Sequence, residues 1–237
     1  MHIKYLSHSG YYIESETCCL LFDYWKGPLP PIPFGKHLFI FASHHHPDHY
    51  DPAIFHYGEQ SPSTHYFLGC DITLNAANRQ KMGVSDDMLP RCHRMHKDDV
   101  IKKDPVTVRA LRSTDMGVAF VVEFDGKRIY HAGDHNLWIW HEDDNFDRSQ
   151  THRFYEEIEN LRGLSFDAAF LPLDPRLGPE YWRGFDAFAR LIEPKKMFPM
   201  HMVGDYDIIR RFMQKDCTWP YRKRIMEISA SGQEFEI

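Results

Sequence analysis

Short apolar runs dominate the first third of the chain, and longer periodic stretches alternate with such runs afterwards. Ile3–Leu6, Tyr11–Glu14 and Cys18–Asp23 are apolar or aromatic segments interrupted by Ser9-Gly10 and by Glu14-Ser-Glu-Thr17, which predicts three early strands. Pro28, Pro30, Pro31 and Pro33 then enforce an irregular loop. His37–Ala42 is a continuous apolar run between breakers, as expected of a strand covered on both faces. Asp51-Pro52 reads as a helix N-cap followed by proline in the first turn. Further strands are predicted at Thr64–Leu68, Val106–Leu111, Val118–Phe124, Arg128–His131, Ala168–Leu171, Lys196–Phe198 and, last, Ile225–Ser229. Asp125-Gly126 marks a hairpin turn. Helical spacing appears at Asp71–Lys81, Gln150–Arg162, Glu180–Ile192 (stopped by Pro194) and Asp205–Gln214.

The order is thus β-rich first, with strands and helices alternating later. No Ser/Gly linker or low-complexity tract cuts the chain, and no fixed-period repeat is visible, so one domain is expected. Its 237 residues suffice for a sizeable core, and 43% hydrophobic with 26% charged residues is ordinary for a soluble globular protein. The formal charge of −6 disfavours general binding to a phosphate backbone. Met1–Tyr5 carries no signal-like apolar stretch, and no window approaches a membrane span of about 18 apolar residues. A cytoplasmic protein is expected. The five cysteines form no C-x-x-C pair, and an odd count fits reduced thiols better than a disulfide framework.

Histidine departs from this ordinary picture. There are 16, bunched as His44, His45, His46 and His49, then His131 and His135, then His201. The first group lies in Ser43–Tyr50, SHHHPDHY, directly after the buried strand His37–Ala42. In extended chain, residues two apart share a face, so His44 and His46 can grip one cation. The turn at Pro47 lets Asp48 and His49 approach the same cleft from another side, towards a second. Imidazole and carboxylate together suit zinc, with manganese or iron as alternatives.

The spacing His44-x-His46-x-Asp48-His49 at a strand end resembles the signature of the metallo-β-lactamase superfamily. His131-Ala-Gly-Asp134 resembles its segment bearing a metal-bridging aspartate, and Pro199-Met-His201 resembles its final metal histidine. Tyr5-Leu-Ser-His8-Ser-Gly10 and Leu21-Phe-Asp23 are similar to the start of the branch containing ascorbate-6-phosphate-lactonase-like hydrolases. The resemblance runs over nearly the whole chain. It implies an α/β (α+β) fold, a four-layer αβ/βα sandwich of metallo-β-lactamase type, and one or two divalent metal ions. It places His44 and His46 in a first metal site, Asp48, His49 and His201 in a second, and Asp134 between them. The family's third first-site histidine is missing here. The stretch after Val106–Leu111 reads Arg112-Ser-Thr-Asp115-Met-Gly117, where Asp115 is either a carboxylate substitute or a turn aspartate. His8, between two early strands, is a further candidate for the cleft or a metal.

The chemistry implied is hydrolysis of a small ester, lactone or phosphodiester, because a metal with an open position brings bound water to hydroxide near neutral pH. Asp48 would orient that nucleophile or shuttle its proton. No G-x-S-x-G elbow, Walker loop or dinucleotide fingerprint offers another route. Trp138 and Trp140 follow Asp134 and either wall a substrate pocket or pack in the interior. Arg176 either clamps a phosphate or carboxylate or makes a surface ion pair. A small-molecule substrate is expected, nucleic acid is disfavoured, and oligomeric state is not encoded. Competing readings are a non-catalytic metal sensor, favoured by the missing histidine, and a nuclease. A di-iron oxygen-reducing role would call for a flavin partner and usually a glutamate where His46 stands.

Overall fold

The computed structural model describes residues 1–237 as two mixed sheets packed face to face, with helices on their outer sides. The first sheet has the order β13 (Glu234–Glu236), β1 (His2–Ser7), β2 (Gly10–Glu14), β3 (Cys18–Phe22), β4 (His37–Ala42), β5 (His65–Gly69) and β6 (Cys92–Met95). β1, β2 and β3 form an antiparallel meander, and β3 to β6 run parallel. The second sheet has the order β12 (Met197–Met200), β11 (Ala168–Pro172), β10 (Lys127–His131), β9 (Val118–Phe124), β8 (Val106–Arg112) and β7 (Val100–Lys103). Here β10, β11 and β12 are parallel and the rest antiparallel.

The alternation along β3 and β4 explains the layering. Cys18, Leu20, Phe22, Phe39 and Phe41 face the second sheet, whereas Cys19, Leu21, Leu38 and Ile40 face the helix layer. That layer contains α1 (Ala53–Gly58), which contributes Ile54, Phe55 and Tyr57. Between the sheets, Phe22 stacks on Phe41 with ring centroids 4.3 Å apart, and Phe170 stacks on Phe198 at 5.1 Å. Burying each such ring contributes about 1.5–3 kcal/mol. On the other outer face, α3 (Asp144–Glu159) turns Phe154 and Ile158 inward, and α4 (Arg183–Ile192) places Phe188 flat on Tyr130 at 4.6 Å. α2 (Ala76–Met82), capped by Asn75, and α5 (Asp207–Met213) complete the outer elements. No helix is long and apolar enough to cross a membrane.

Three edge strands, β6, β7 and β13, carry little hydrophobic signal: their sequences are CHRM, VIKK and EFE. Short polar edges of this kind resist pairing with other chains and are hard to see in sequence. The strand expected at Ile225–Ser229 does not form. Only Ile225 bridges Met197 in parallel, at the β12 edge of the second sheet, and the backbone then leaves that edge; the last strand is β13, which pairs with β1 in the first sheet. α3 starts at Asp144, before the expected Gln150, because Asp143 caps it by accepting from Asn145 N and Phe146 N. The expected helix at Asp71–Lys81 begins only at Ala76, where Asn75 accepts from Asn78 N. At Glu180–Ile192 a 3₁₀ stretch, Pro175–Glu180, ends at Glu180 and α4 starts at Arg183.

Candidate metal centre

Five strands that run parallel to a neighbour deliver their C-terminal ends to one edge of the sandwich. β3 ends at Asp23, β4 at Ser43–His49, β10 at Asp134, β11 at Asp174 and β12 at His201. The β1–β2 turn adds His8, and the β8–β9 turn adds Asp115 at the rim. His8 and His201 both hold left-handed backbone, φ 53° and 63°, and His201 N donates to the His8 carbonyl at 3.1 Å. Such conformations cost on the order of 1–3 kcal/mol for non-glycine residues, so the fold fixes both imidazoles at some expense.

The candidate side chains fall into two groups. His44, His46 and Asp134 bring three ligand-type atoms within 4.8 Å of one another; His8, Asp48, His49 and His201 bring four. Asp134 stands between them. Its Oδ2 is 3.5 Å from His44 Nε2, and its Oδ1 is 3.1 Å from His49 Nε2 and 3.3 Å from His201 Nε2. His8 Nε2 lies 3.3 Å from Asp48 Oδ2. His8 Nε2, His49 Nε2 and Asp134 Oδ1 are buried and have no hydrogen-bond partner. Native proteins rarely leave such atoms unsatisfied, and orphans pointing at one centre are what a cation would satisfy. The residues therefore fit a divalent ion.

The far sides of the rings are anchored, which sets the tautomers. His49 Nδ1–H donates to Asp23 Oδ2 at 2.8 Å, and His201 Nδ1–H donates to Asp174 Oδ2 at 2.9 Å. Ser43 Oγ donates to Asp23 Oδ2 at 2.7 Å, so towards His44 Nδ1, 2.9 Å away, it can only accept. All three Nε2 atoms are thereby turned to the centre, an arrangement that orients metal ligands. His45, on the opposite face of the same extended segment, turns outward to Asp71.

The buried carboxylates and imidazoles also shift one another's ionisation. Burial opposes charge on His49, but Asp134 and Asp23 on its two sides outweigh burial and hold its pKa well above the usual imidazole value. Burial likewise opposes ionisation of Asp134, yet His49 and His201 hold it well below the carboxylate range. The imidazole of His8, 3.3 Å from Asp48 Oδ2, lowers the Asp48 pKa. Burial lowers His44 to about 4, with neighbouring His49 acting in the same direction. Burial, then Asp134, raises Asp115.

Asp115 borders the cleft but belongs to neither group of ligand atoms. The loop it occupies is nonetheless built into the site. Thr114 Oγ1 donates to the Asn136 carbonyl at 2.7 Å and accepts from Asn136 N at 2.9 Å, pinning the segment after Asp134. Gly133, at φ 52°, lets that segment pass Ser43 so closely that a Cβ would lie 2.6 Å from Ser43 Cβ. Trp138 is buried, donates Nε1–H to the Asp134 carbonyl at 2.8 Å, and meets His201 edge-on at 5.7 Å. Trp140 is partly exposed and parallel to Trp138 within 4°, centroids 6.1 Å apart. Asp147 of α3 fixes this loop by accepting from Trp140 N and His141 N. Arg176 binds Asp174 through Nε and Nη2, at 3.0 and 2.5 Å, with its side chain half exposed at the cleft.

Sequence reading gave no role to Asp23, Ser43, Thr114 or Asp174. Two of these carried a signal. Asp23 and Asp174 are carboxylates that close apolar runs, Cys18–Phe22 and Ala168–Leu173, and both are fully buried. A buried carboxylate must be paired, so such a position already asks for a partner.

Two sheets face to face, with histidines and aspartates gathered at one edge, define a metallo-hydrolase-type fold. The beta-lactamase superfamily domain matches residues 2–146. A metal-dependent hydrolase of Alkaliphilus metalliredigens is 30% identical over 218 residues, 85% of each chain. Among solved structures, a metallo hydrolase of Ignicoccus hospitalis has a TM-score of 0.66 at 17% identity, covering 100% of this chain and 98% of its own. An isothiocyanate hydrolase from Delia radicum gut bacteria has a TM-score of 0.60 at 14% identity, covering 100% and 99%. The chain belongs to the beta-lactamase superfamily, as one of its metal-dependent hydrolases.

Proposed function

We propose that this protein hydrolyses a small ester, lactone or phosphodiester, within the ascorbate-6-phosphate-lactonase-like branch, with zinc as the favoured metal and manganese or iron as alternatives. The observation that carries this reading is the position of Asp134, whose two oxygens divide between His44 on one side and His49 with His201 on the other. His44, His46 and Asp134 would hold one ion, and His8, Asp48, His49, His201 and Asp134 the other. A divalent ion held there acidifies coordinated water and so supplies a nucleophile at neutral pH. The donor set is nitrogen and oxygen without thiolate, which suits these metals.

Within this reading, Asp48 is the carboxylate that meets the cleft. It is only half-buried, whereas Asp134 is closed in, so Asp48 is the group able to accept a hydrogen bond from an incoming water. His8 keeps it ionised and fixed. The chamber beside Asp134 and His201 is about 210 Å³, the scale of a small organic group. Its wall carries Asp48, Asp115 and Asp134, which disfavours a polyanionic strand there.

Metal analysis of the purified protein, followed by a panel of lactones, aryl esters and aryl phosphodiesters, tests the reading. Zinc, manganese or iron near or above one equivalent with metal-dependent turnover of one class is expected. Less than about a tenth of an equivalent after reconstitution would overturn it, since a catalytic site of this ligand set retains its ion.

A further inference from the structure

The cleft continues past the candidate metal centre into a second chamber of about 330 Å³. Asp48 and Arg176 line both chambers and form the partition between them. The two sides differ in chemistry. The first is walled by Trp138, Trp140 and Phe146 opposite His46 and His201. The second is walled by His8, Trp25, Lys26 and Tyr206. The Lys26 ammonium lies 3.6 Å from the Trp25 ring centroid, and no carboxylate reaches it. Trp25 in turn meets His8 edge-on at 5.8 Å. Arg176 uses Nε and Nη2 on Asp174, which leaves Nη1 without a partner.

We infer that the substrate has two arms: an aromatic or flat apolar arm held between Trp138, Trp140 and Phe146, and an anionic arm held by Lys26 and Arg176, with the scissile bond at Asp48. The inference rests on the hydrolase reading for its reaction but not for its binding. A cation resting on an indole face keeps its full charge while losing mobility, so Lys26 is presented to a ligand and not neutralised by the protein. Arg176 is oriented by Asp174 and offers its remaining edge to a carboxylate or phosphate. On the other side, two parallel indoles and a phenyl ring offer apolar area at low conformational cost, which suits an aryl group, while Asp48, Asp115 and Asp134 on the same wall disfavour an anionic one. Asp48 and Arg176 are the groups that both arms must pass, and this places the bond to be broken beside the ligand-bearing edge.

The experiment compares p-nitrophenyl hydrogen glutarate with p-nitrophenyl pentanoate on the metal-reconstituted protein. The aryl arm is the same and the acyl arms differ in charge. The anionic ester should have a kcat/KM about tenfold higher, the size of a charge-assisted contact. Lys26→Glu should abolish or reverse that ratio. Trp140→Ala should lower kcat/KM for both esters and leave the ratio in place. In parallel, the matching p-nitroanilides, which carry the same arms on an amide, are titrated against tryptophan fluorescence. The anionic anilide should bind about tenfold tighter, and Lys26→Glu should remove the difference. Equal kcat/KM and equal affinity for the two charges, or a ratio untouched by Lys26→Glu, would overturn the two-armed substrate while leaving hydrolysis standing. Absence of turnover for every ester, lactone and phosphodiester with metal bound would overturn the hydrolase reading, and the anilide titration would still decide whether the two chambers bind as inferred.

Discussion

Asp23 Oδ2 accepts a hydrogen bond from His49 Nδ1 at 2.8 Å, and neither side chain is exposed to solvent. The same carboxylate takes Ser43 N and Ser43 Oγ, each at 2.7 Å, and so holds the start of the His44–His49 segment as well as its end. Asp23→Ala removes the acceptor that fixes His49, and we expect metal affinity to fall about 10- to 100-fold. Asp23→Asn keeps an acceptor oxygen and should fall less. Chelator-competition titration measures this, with circular dichroism to verify folding. Unchanged affinity in folded Asp23→Ala would show that His49 needs no such orientation.

Asp134→Ala should lose more metal than Asp115→Ala. Asp134 faces ligand atoms of both groups, whereas Asp115 stands at the rim outside either. Elemental analysis of the two variants after the same reconstitution compares them. Equal loss, or greater loss for Asp115→Ala, would move Asp115 into the ligand set in place of the missing imidazole.

The two groups should fill in order. His8, Asp48, His49 and His201 supply four donors, while His44, His46 and Asp134 supply three, and sites with three protein ligands are the ones that keep a position open for water. Stepwise metal titration should show a tight first equivalent and a weaker second, with activity rising mainly on the second. His8→Ala should weaken the tight step and leave the weak one. Full activity at one equivalent would refute the two-ion reading, and an unaltered tight step in His8→Ala would restrict His8 to holding Asp48.

Far from the cleft, Asp125 accepts from Ser15 Oγ and Thr17 Oγ1 at 2.6 Å each and from Thr17 N at 3.0 Å, tying the β9–β10 turn to the loop before β3. Burial opposes its ionisation, but these donors outweigh burial and lower its pKa. A carboxyl whose folded pKa is depressed stabilises the fold above its unfolded value of about 3.9, and that contribution disappears as pH falls through the folded value. Asp125→Asn, which tolerates the left-handed turn, should cost about 1 kcal/mol at pH 7. Urea unfolding of metal-free protein at pH 7 and near pH 3 tests it. A gap that persists undiminished at the lower pH would mean that charge is not the cause.

Several features of this molecule are written in neighbouring residues. The apolar run His37–Ala42 is legible as a strand covered on both faces, and the structure places it in the interior of a seven-strand sheet, between β3 and β5. The spacing of His44 and His46 is legible as a shared face, since side chains alternate along extended chain, and the outward turn of His45 follows from the same rule. Asp125-Gly126 is legible as a hairpin turn because few residue pairs accept φ of 46° and 69° in succession. The polar edges β6, β7 and β13 were not legible, because three or four residues with little apolar content form a strand only when an existing sheet offers them hydrogen bonds. Nor were the partners of the imidazoles. Asp23 meets His49 across 26 residues, Asp174 meets His201 across 27, and His131 reaches the Ser9 carbonyl across 122. Those meetings depend on which strands lie side by side and in what register. Local periodicity decides that a strand exists and which way its side chains alternate. Only the pairing of β3 with β4, and of β11 with β10 and β12, brings their C-terminal ends to one edge, where buried carboxylates and imidazoles must satisfy one another.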